Sequence, residues 1–183
     1  DNDFSPCARW YNDVVDYLVA DKTIENIVFL HRYSSQIVGG SNHLYPALPS
    51  SKIGIRGEQI LENIDQVILA LAKHKKNVIV LYPVPELPDK ISKLIDKNYT
   101  QSLDFENLKG TETNWFLKRN EAIISHFDNA EYPNNVVFVK PHKHFCDKEL
   151  CYAVKDGRAV YFDDDHLSVF GASGLVNEMI SLK

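Results

Sequence analysis

Three short apolar runs decide most of what this chain can become. Ile27-Val28-Phe29-Leu30, Val78-Ile79-Val80-Leu81 and Val136-Val137-Phe138-Val139 are unbroken by polar residues. A strand with one wet face alternates, whereas a strand buried on both faces does not. Each run also follows a segment with helical spacing. Ser5-Pro6 pairs a good cap with proline at the first helical position, and Cys7, Trp10, Tyr11, Val14 and Leu18 recur at helical intervals behind it. Ile60, Ile64, Val67, Ile68 and Leu71 mark a second helix over 57–76, and Trp115, Arg119, Ile123 and Phe127 a third over 111–127. Helix then strand, three times over, predicts an α/β domain: three layers, α/β/α, around a mainly parallel sheet with right-handed crossovers.

The remaining segments are less regular. Residues 86–110 read as a long loop with one short helix over 89–95, and long loops in compact domains are often functional. Tyr152-Ala153-Val154 and Ala159-Val160-Tyr161 flank Asp156-Gly157, a strong hairpin-turn signal. A final helix starts near Ser168 with Leu175, Val176, Met179 and Ile180 on one face, and Gly171 and Gly174 would let it lie close to a neighbour. No internal repeat or interdomain linker interrupts residues 1–183, so a single domain is expected. With 44% hydrophobic and 25% charged residues, 183 residues suffice for a full core.

Charge narrows the partners. A net charge of −5 and no Lys/Arg stripe argue against nucleic acid; the densest basic run, Lys73 to Lys76, suits a helix C-terminus. No apolar stretch is long enough to span a bilayer and no charged-then-apolar leader opens the chain, so any membrane attachment is expected to lie outside this segment.

The run Tyr161-Phe162-Asp163-Asp164-Asp165-His166-Leu167-Ser168 leaves the hairpin directly and carries the chemistry. A histidine takes a proton productively near neutral pH only if its tautomer and ring direction are set, and a nearby carboxylate does both. Asp163 and His166 therefore fit an orienting carboxylate and a general base. The alternative is a solvated acidic turn with Ser168 capping the next helix. Cys146 and Cys151 bracket four residues in a polar, loop-like neighbourhood that favours a disulfide and an oxidising compartment; two free thiols are the alternative. Cys7 stands far away, without an obvious partner in sequence.

The Asp-x-x-His pair late in an α/β chain, followed by Leu167-Ser168 and Gly171-Ala172, resembles the last block of the SGNH hydrolase superfamily. More closely, Cys146, Cys151, the Asp156-Gly157 turn, Tyr161 and the run Asp163 to Ser168, in this order, resemble the periplasmic SGNH domain fused to acyltransferase-3 membrane proteins. The helix from Ser5, the strand ending at His31-Arg32-Tyr33 and the Pro83-Val84-Pro85 strand exit fall where that family has comparable elements. The resemblance implies a flavodoxin-like three-layer fold in which a serine nucleophile, a histidine base and an aspartate meet at the C-terminal edge of the sheet, with His166 and Asp163 in the last two roles. It implies an O-acyltransferase that moves an acyl group, acetyl above all, onto a hydroxyl of a cell-surface glycan. The partners it implies are the glycan acceptor and an acyl-donating transmembrane domain of the same polypeptide. The place it implies is the periplasmic side of an inner membrane, and it calls for no cofactor. Hydrolysis by the same residues, with water as acceptor, is the enzymatic alternative. A non-catalytic glycan binder using Trp10, Tyr33, Tyr45 or Trp115 as stacking faces is the alternative of another class.

One departure from the family pattern stands out. Its serine sits in an early Gly-Asp-Ser block after the first strand, and no Gly-Asp-Ser occurs here. Either that strand and serine lie upstream of residue 1, or the nucleophile has been lost; a chain that opens on a helix, and the unpartnered Cys7, favour the first. Within the chain the best substitute is Ser41, in Gly39-Gly40-Ser41-Asn42-His43, although no strand runs into it as a nucleophile elbow requires. Arg32, at a strand exit, is the candidate for binding an oxyanion or a sugar hydroxyl. His142-Lys143-His144 with Cys146 and the three aspartates raises the question of a metal, but the other ligands lack a recognisable spacing and no metal is expected.

Overall fold

The computed structural model describes residues 5–40, 42–48, 53–101 and 105–182. Its sheet is built from the three apolar runs: β1 (Asn26–Phe29), β2 (Asn77–Leu81) and β4 (Val136–Val139), all parallel in the order β1-β2-β4. Val28 lies opposite Ile79, and Val80 opposite Phe138, so the strands run in step and end together.

Side chains alternate between two cores. Ile27 and Phe29, Val78 and Val80, and Val136 face a layer made by α2 (Tyr33–Ile37), α3 (Ile55–His74) and α6 (Glu121–Asn129), with α1 (Pro6–Ala20) packed outside against α3. Ile79, Leu81 and Val139 face the opposite way, onto Leu175 and Met179 of α8 (Val169–Ser181). The expected three-layer α/β/α arrangement is therefore present. α8 covers β2 and β4 but not β1, whose Val28 is 53% exposed.

Several elements differ from the sequence expectation. Residues 111–127 do not form one helix. Lys109–Glu112 is a strand, β3, antiparallel to β5 (Leu150–Tyr152), and α5 (Thr113–Arg119) stops one residue before α6. Gly110 permits the first change, because a Cβ there would lie 2.7 Å from Leu87 and 2.9 Å from the Cys151 carbonyl. Asn120 marks the second: its Nδ2 donates to the Phe116 carbonyl at 2.9 Å, while Ser34 Oγ donates to its Oδ1 at 2.6 Å. The short helix expected over 89–95 is α4, Ile91–Thr100. Trp10, one of the candidate stacking residues, is 65% exposed, and α1 contributes no fully buried residue.

The hairpin forms as read, with β6 (Val154–Lys155) and β7 (Arg158–Ala159) joined through Asp156 and Gly157, both at positive φ. Short helix α7 (His142–Phe145) leads from β4 into the Cys146–Cys151 disulfide, and Cys7 is exposed. Replacing both bridged cysteines by serine is expected to cost about 2 kcal/mol by the loop-entropy relation for a ring this short. Equilibrium denaturation under oxidising conditions checks this.

Candidate active site

The C-terminal ends of parallel strands leave a crevice where chain segments diverge, the usual place for a ligand in open α/β sheets. Here the β1–α2 turn supplies Leu30 to Ser34, the β2 exit supplies Pro83, Val84 and Glu86, the α5–α6 break supplies Asn120, and the loop after the hairpin supplies Asp165 and His166. Together they line a cleft of about 240 Å³.

The loop carrying the last two residues is held from both ends. Tyr161 is buried and donates its hydroxyl to the Pro85 carbonyl at 2.7 Å, and Phe162 N–H donates to the His166 carbonyl at 2.8 Å. Leu87 and Ile91 donate their N–H groups to the carbonyls of Asp164 and Asp163 at 2.7 and 3.0 Å, fastening the loop to the β2 exit.

Within it the Asp-x-x-His spacing does local work. Asp163 Oδ1 accepts the N–H groups of Asp165 at 3.0 Å and His166 at 2.8 Å, as a capping aspartate does, and this aims Oδ2 at His166 Nδ1, 2.8 Å away. Burial works to raise the Asp163 pKa, but those two N–H groups and the imidazole outweigh it and hold the carboxyl well below the usual carboxylate range. The hydrogen bond to Asp163, then the charge of Asp165, raise the pKa of His166. With Nδ1 occupied, Nε2 is the ring atom that can accept a proton, and the side chain is 75% exposed.

The three aspartates divide their tasks. Asp165 brings Oδ1 to 3.0 Å from His166 Nδ1 and Oδ2 to 2.8 Å from Arg32. Asp164 accepts from Asn42 Nδ2 at 3.0 Å and faces His43 Nε2 at 3.3 Å. Arg32 lies at the cleft wall and also donates to Glu86 at 2.6 Å and to Asn42 at 2.7 Å. Two of its five N–H groups are taken by these hydrogen bonds, and Nη1 faces Asp165 as an ion pair.

The structure separates other candidates. Cys146 is in the disulfide, His144 pairs with Glu178 at 2.6 Å, and His142 packs its ring on Phe116, so these donors do not converge. Among the described residues, Asp163, Asp165 and His166 offer atoms within 4.8 Å of one another; in the tautomer whose Nδ1–H is given to Asp163, that nitrogen has no lone pair for an ion. Tyr33 and Trp115 are buried, so neither presents an open sugar-stacking face, while the half-buried Tyr45 meets Trp115 edge-on. Ser41 lies outside the described residues.

Sequence reasoning missed Ser34, Glu86, Asn42 and Asn120. Ser34 lines the cleft just after β1, and the signal for it was a serine at a strand-to-helix turn; its hydroxyl donates to Asn120, not to His166. Glu86 carried a signal too, being a charge placed directly after an apolar strand and its prolines.

The family model for the SGNH domain (fused to AT3 domains) matches residues 1–181. No curated protein and no solved structure matches the chain.

Proposed function

The chain belongs to the family of SGNH domains fused to AT3 domains, and from that premise we propose that it is the extracytoplasmic part of an O-acyltransferase that passes an acyl group, acetyl above all, to a hydroxyl of a cell-surface glycan. The observation that carries this reading is the His166 imidazole, aligned through Nδ1 by Asp163 at the rim of a cleft. No described helix is long and apolar enough to cross a membrane, so the membrane-embedded, acyl-donating part is assigned to the AT3 portion of the polypeptide.

In this proposal a serine Oγ attacks the acyl carbonyl carbon while His166 Nε2 takes its proton. The donor's leaving group departs with that proton, leaving an acyl-serine ester. The glycan hydroxyl then attacks the ester carbon as Nε2 takes the hydroxyl proton, and the serine recovers it on release. Asp163 keeps Nδ1 protonated and stabilises the imidazolium in both halves. The N–H groups of Arg32 outside its bonds to Glu86 and Asn42 offer donors to the acyl oxygen or an acceptor hydroxyl. At about 240 Å³ the cleft is smaller than the roughly 300–1,000 Å³ that takes a drug-sized ligand.

The serine itself is assigned to a segment outside residues 1–183. β1 is an edge strand among the described residues, and its Val28 and the following Leu30 are exposed. A further strand parallel to it would end beside His31 and Arg32, where a serine at its tip would meet His166. A serine-directed fluorophosphonate applied to the full-length protein tests this. The adduct is expected on a serine outside these residues; an adduct on Ser34 would move the nucleophile to the β1–α2 turn.

Hydrolysis is the second reading, favoured by the exposure of His166, which gives water a route to the ester. Following a labelled acyl group into glycan or into free acid separates the two.

A further inference from the structure

Asp163 is fixed by its own loop, but Asp165 is not. Its second oxygen is held across the cleft by Arg32, and what holds Arg32 lies deeper. Glu86 is 6% exposed and sits between two guanidinium groups, Oε1 accepting from Arg32 Nε at 2.6 Å and Oε2 from Arg119 Nε. The Arg119 side chain is completely buried against Trp115, and neither of its terminal nitrogens has a hydrogen-bond partner among the described residues. A buried cation with one anion pins that anion, because separating the two strands a charge away from water. The sequence Arg119, Glu86, Arg32, Asp165, His166 is thus a continuous chain of alternating charge from α5, through the β2 exit and the β1–α2 turn, to the imidazole.

We infer that Glu86 is a positioning residue for the His166 base: anchored by Arg119, it holds Arg32 so that Asp165 stays in place as a second carboxylate facing Nδ1. The hydrogen bond to Asp163 at 2.8 Å and the Asp165 carboxylate at 3.0 Å together restrain a ring that packing leaves largely exposed, where the bond alone would let it swing. The charged groups facing this imidazole are Asp163 and Asp165 directly, Asp164 behind them with Asn42 and His43, and Arg32 beyond Asp165. The inference rests on His166 being the base of the proposed reaction, but the restraint can be read without assaying that reaction.

The test is an NMR titration of the His166 ring in the full-length protein, its signal assigned by loss in His166→Gln. Glu86→Gln removes an anion and leaves the charge of Arg32 to be met by Asp165, which weakens the hold of Asp165 on Nδ1. The midpoint is expected to fall by about half a pH unit. In an Asp165→Asn background the same substitution is expected to move it by less than half as much, because the route runs through that carboxylate. Equal shifts in both backgrounds, or none in the first, would overturn the inference. If Glu86→Gln does not fold, Glu86→Gln with Arg119→Gln removes the buried pair together and carries the same expectation; collapse of both would place Glu86 in the core's service and overturn it equally. Loss of the proposed activity assignment would leave these midpoints untouched, so the two failures are distinguishable.

Discussion

Replacing His166 by alanine is expected to cut acyl transfer by about 1,000-fold or more while leaving the unfolding transition in place. The two halves of that expectation have separate physical origins. The ring is 75% exposed, its side-chain partners are Asp163 and Asp165, and it belongs to none of the buried apolar clusters, so the fold loses little with it. In the proposed reaction the chemistry loses its proton acceptor in both transfers. Neutral imidazole is the active form in that reaction, and Asp163 and Asp165 raise its pKa, so kcat/KM should climb with pH along a limb displaced above the ordinary histidine range. Asp163→Asn should bring that limb down and lower the plateau, because the amide no longer dictates which ring nitrogen carries the proton. The linkage has the matching sign: the stabilisation these carboxylates give the folded state is present while the imidazole is charged, and fades as pH rises through the raised pKa. Acyl incorporation into the glycan, followed against pH for wild type and both variants, checks all three; undiminished activity in His166→Ala would remove the base.

The parts of the fold that are legible in sequence are those whose physics is local. A parallel strand buried on both faces is written as a continuous apolar run, and the expected 136–139 is β4 itself, while β1 and β2 begin one residue earlier than their runs. The His166–Asp163 pair is legible for the same reason: Asp163 reaches the N–H groups two and three residues on, so four consecutive residues contain the geometry. The rest of the site is assembled over distance. Arg32 and Glu86 are 54 residues apart and Glu86 and Arg119 are 33 apart, and no periodicity links an arginine after one strand to a glutamate after the next. The helix expected over 111–127 fails on tertiary grounds as well. Its apolar spacing is real, with Trp115, Phe116, Ile123 and Phe127 all buried, but its first residues pair with the cysteine hairpin and Asn120 breaks it to reach Ser34.

Gly171→Ala is expected to destabilise the protein by about 3 kcal/mol and lower Tm by about 5–10 °C, although alanine is ordinarily the better helix former by about 1 kcal/mol. The reason is the approach of α8 to the hairpin. A Cβ at Gly171 would stand 2.1 Å from the Val160 carbonyl oxygen and 3.0 Å from its carbon, and both are backbone atoms that no rotamer change can move. That same carbonyl accepts Ser168 N–H at 2.9 Å, while Ser168 Oγ donates to the Ala159 carbonyl and accepts Gly171 N–H, so the first turn of the helix is bonded to the strand it would have to leave. Relief requires either breaking this cap or tilting α8, which carries Leu175 and Met179 off Ile79, Leu81 and Val139. Val160 precedes Tyr161, the root of the loop bearing Asp163 and His166, so activity should fall along with stability. Gly174→Ala is the control on the same helix. Its Cβ would meet only the ring of His144 at 3.3 Å, a side chain able to turn aside, so the propensity gain should survive and stability should hold or rise slightly. Thermal denaturation of the two variants side by side decides the matter, and equal shifts would mean that the contact between helix and hairpin does not govern this end of the domain.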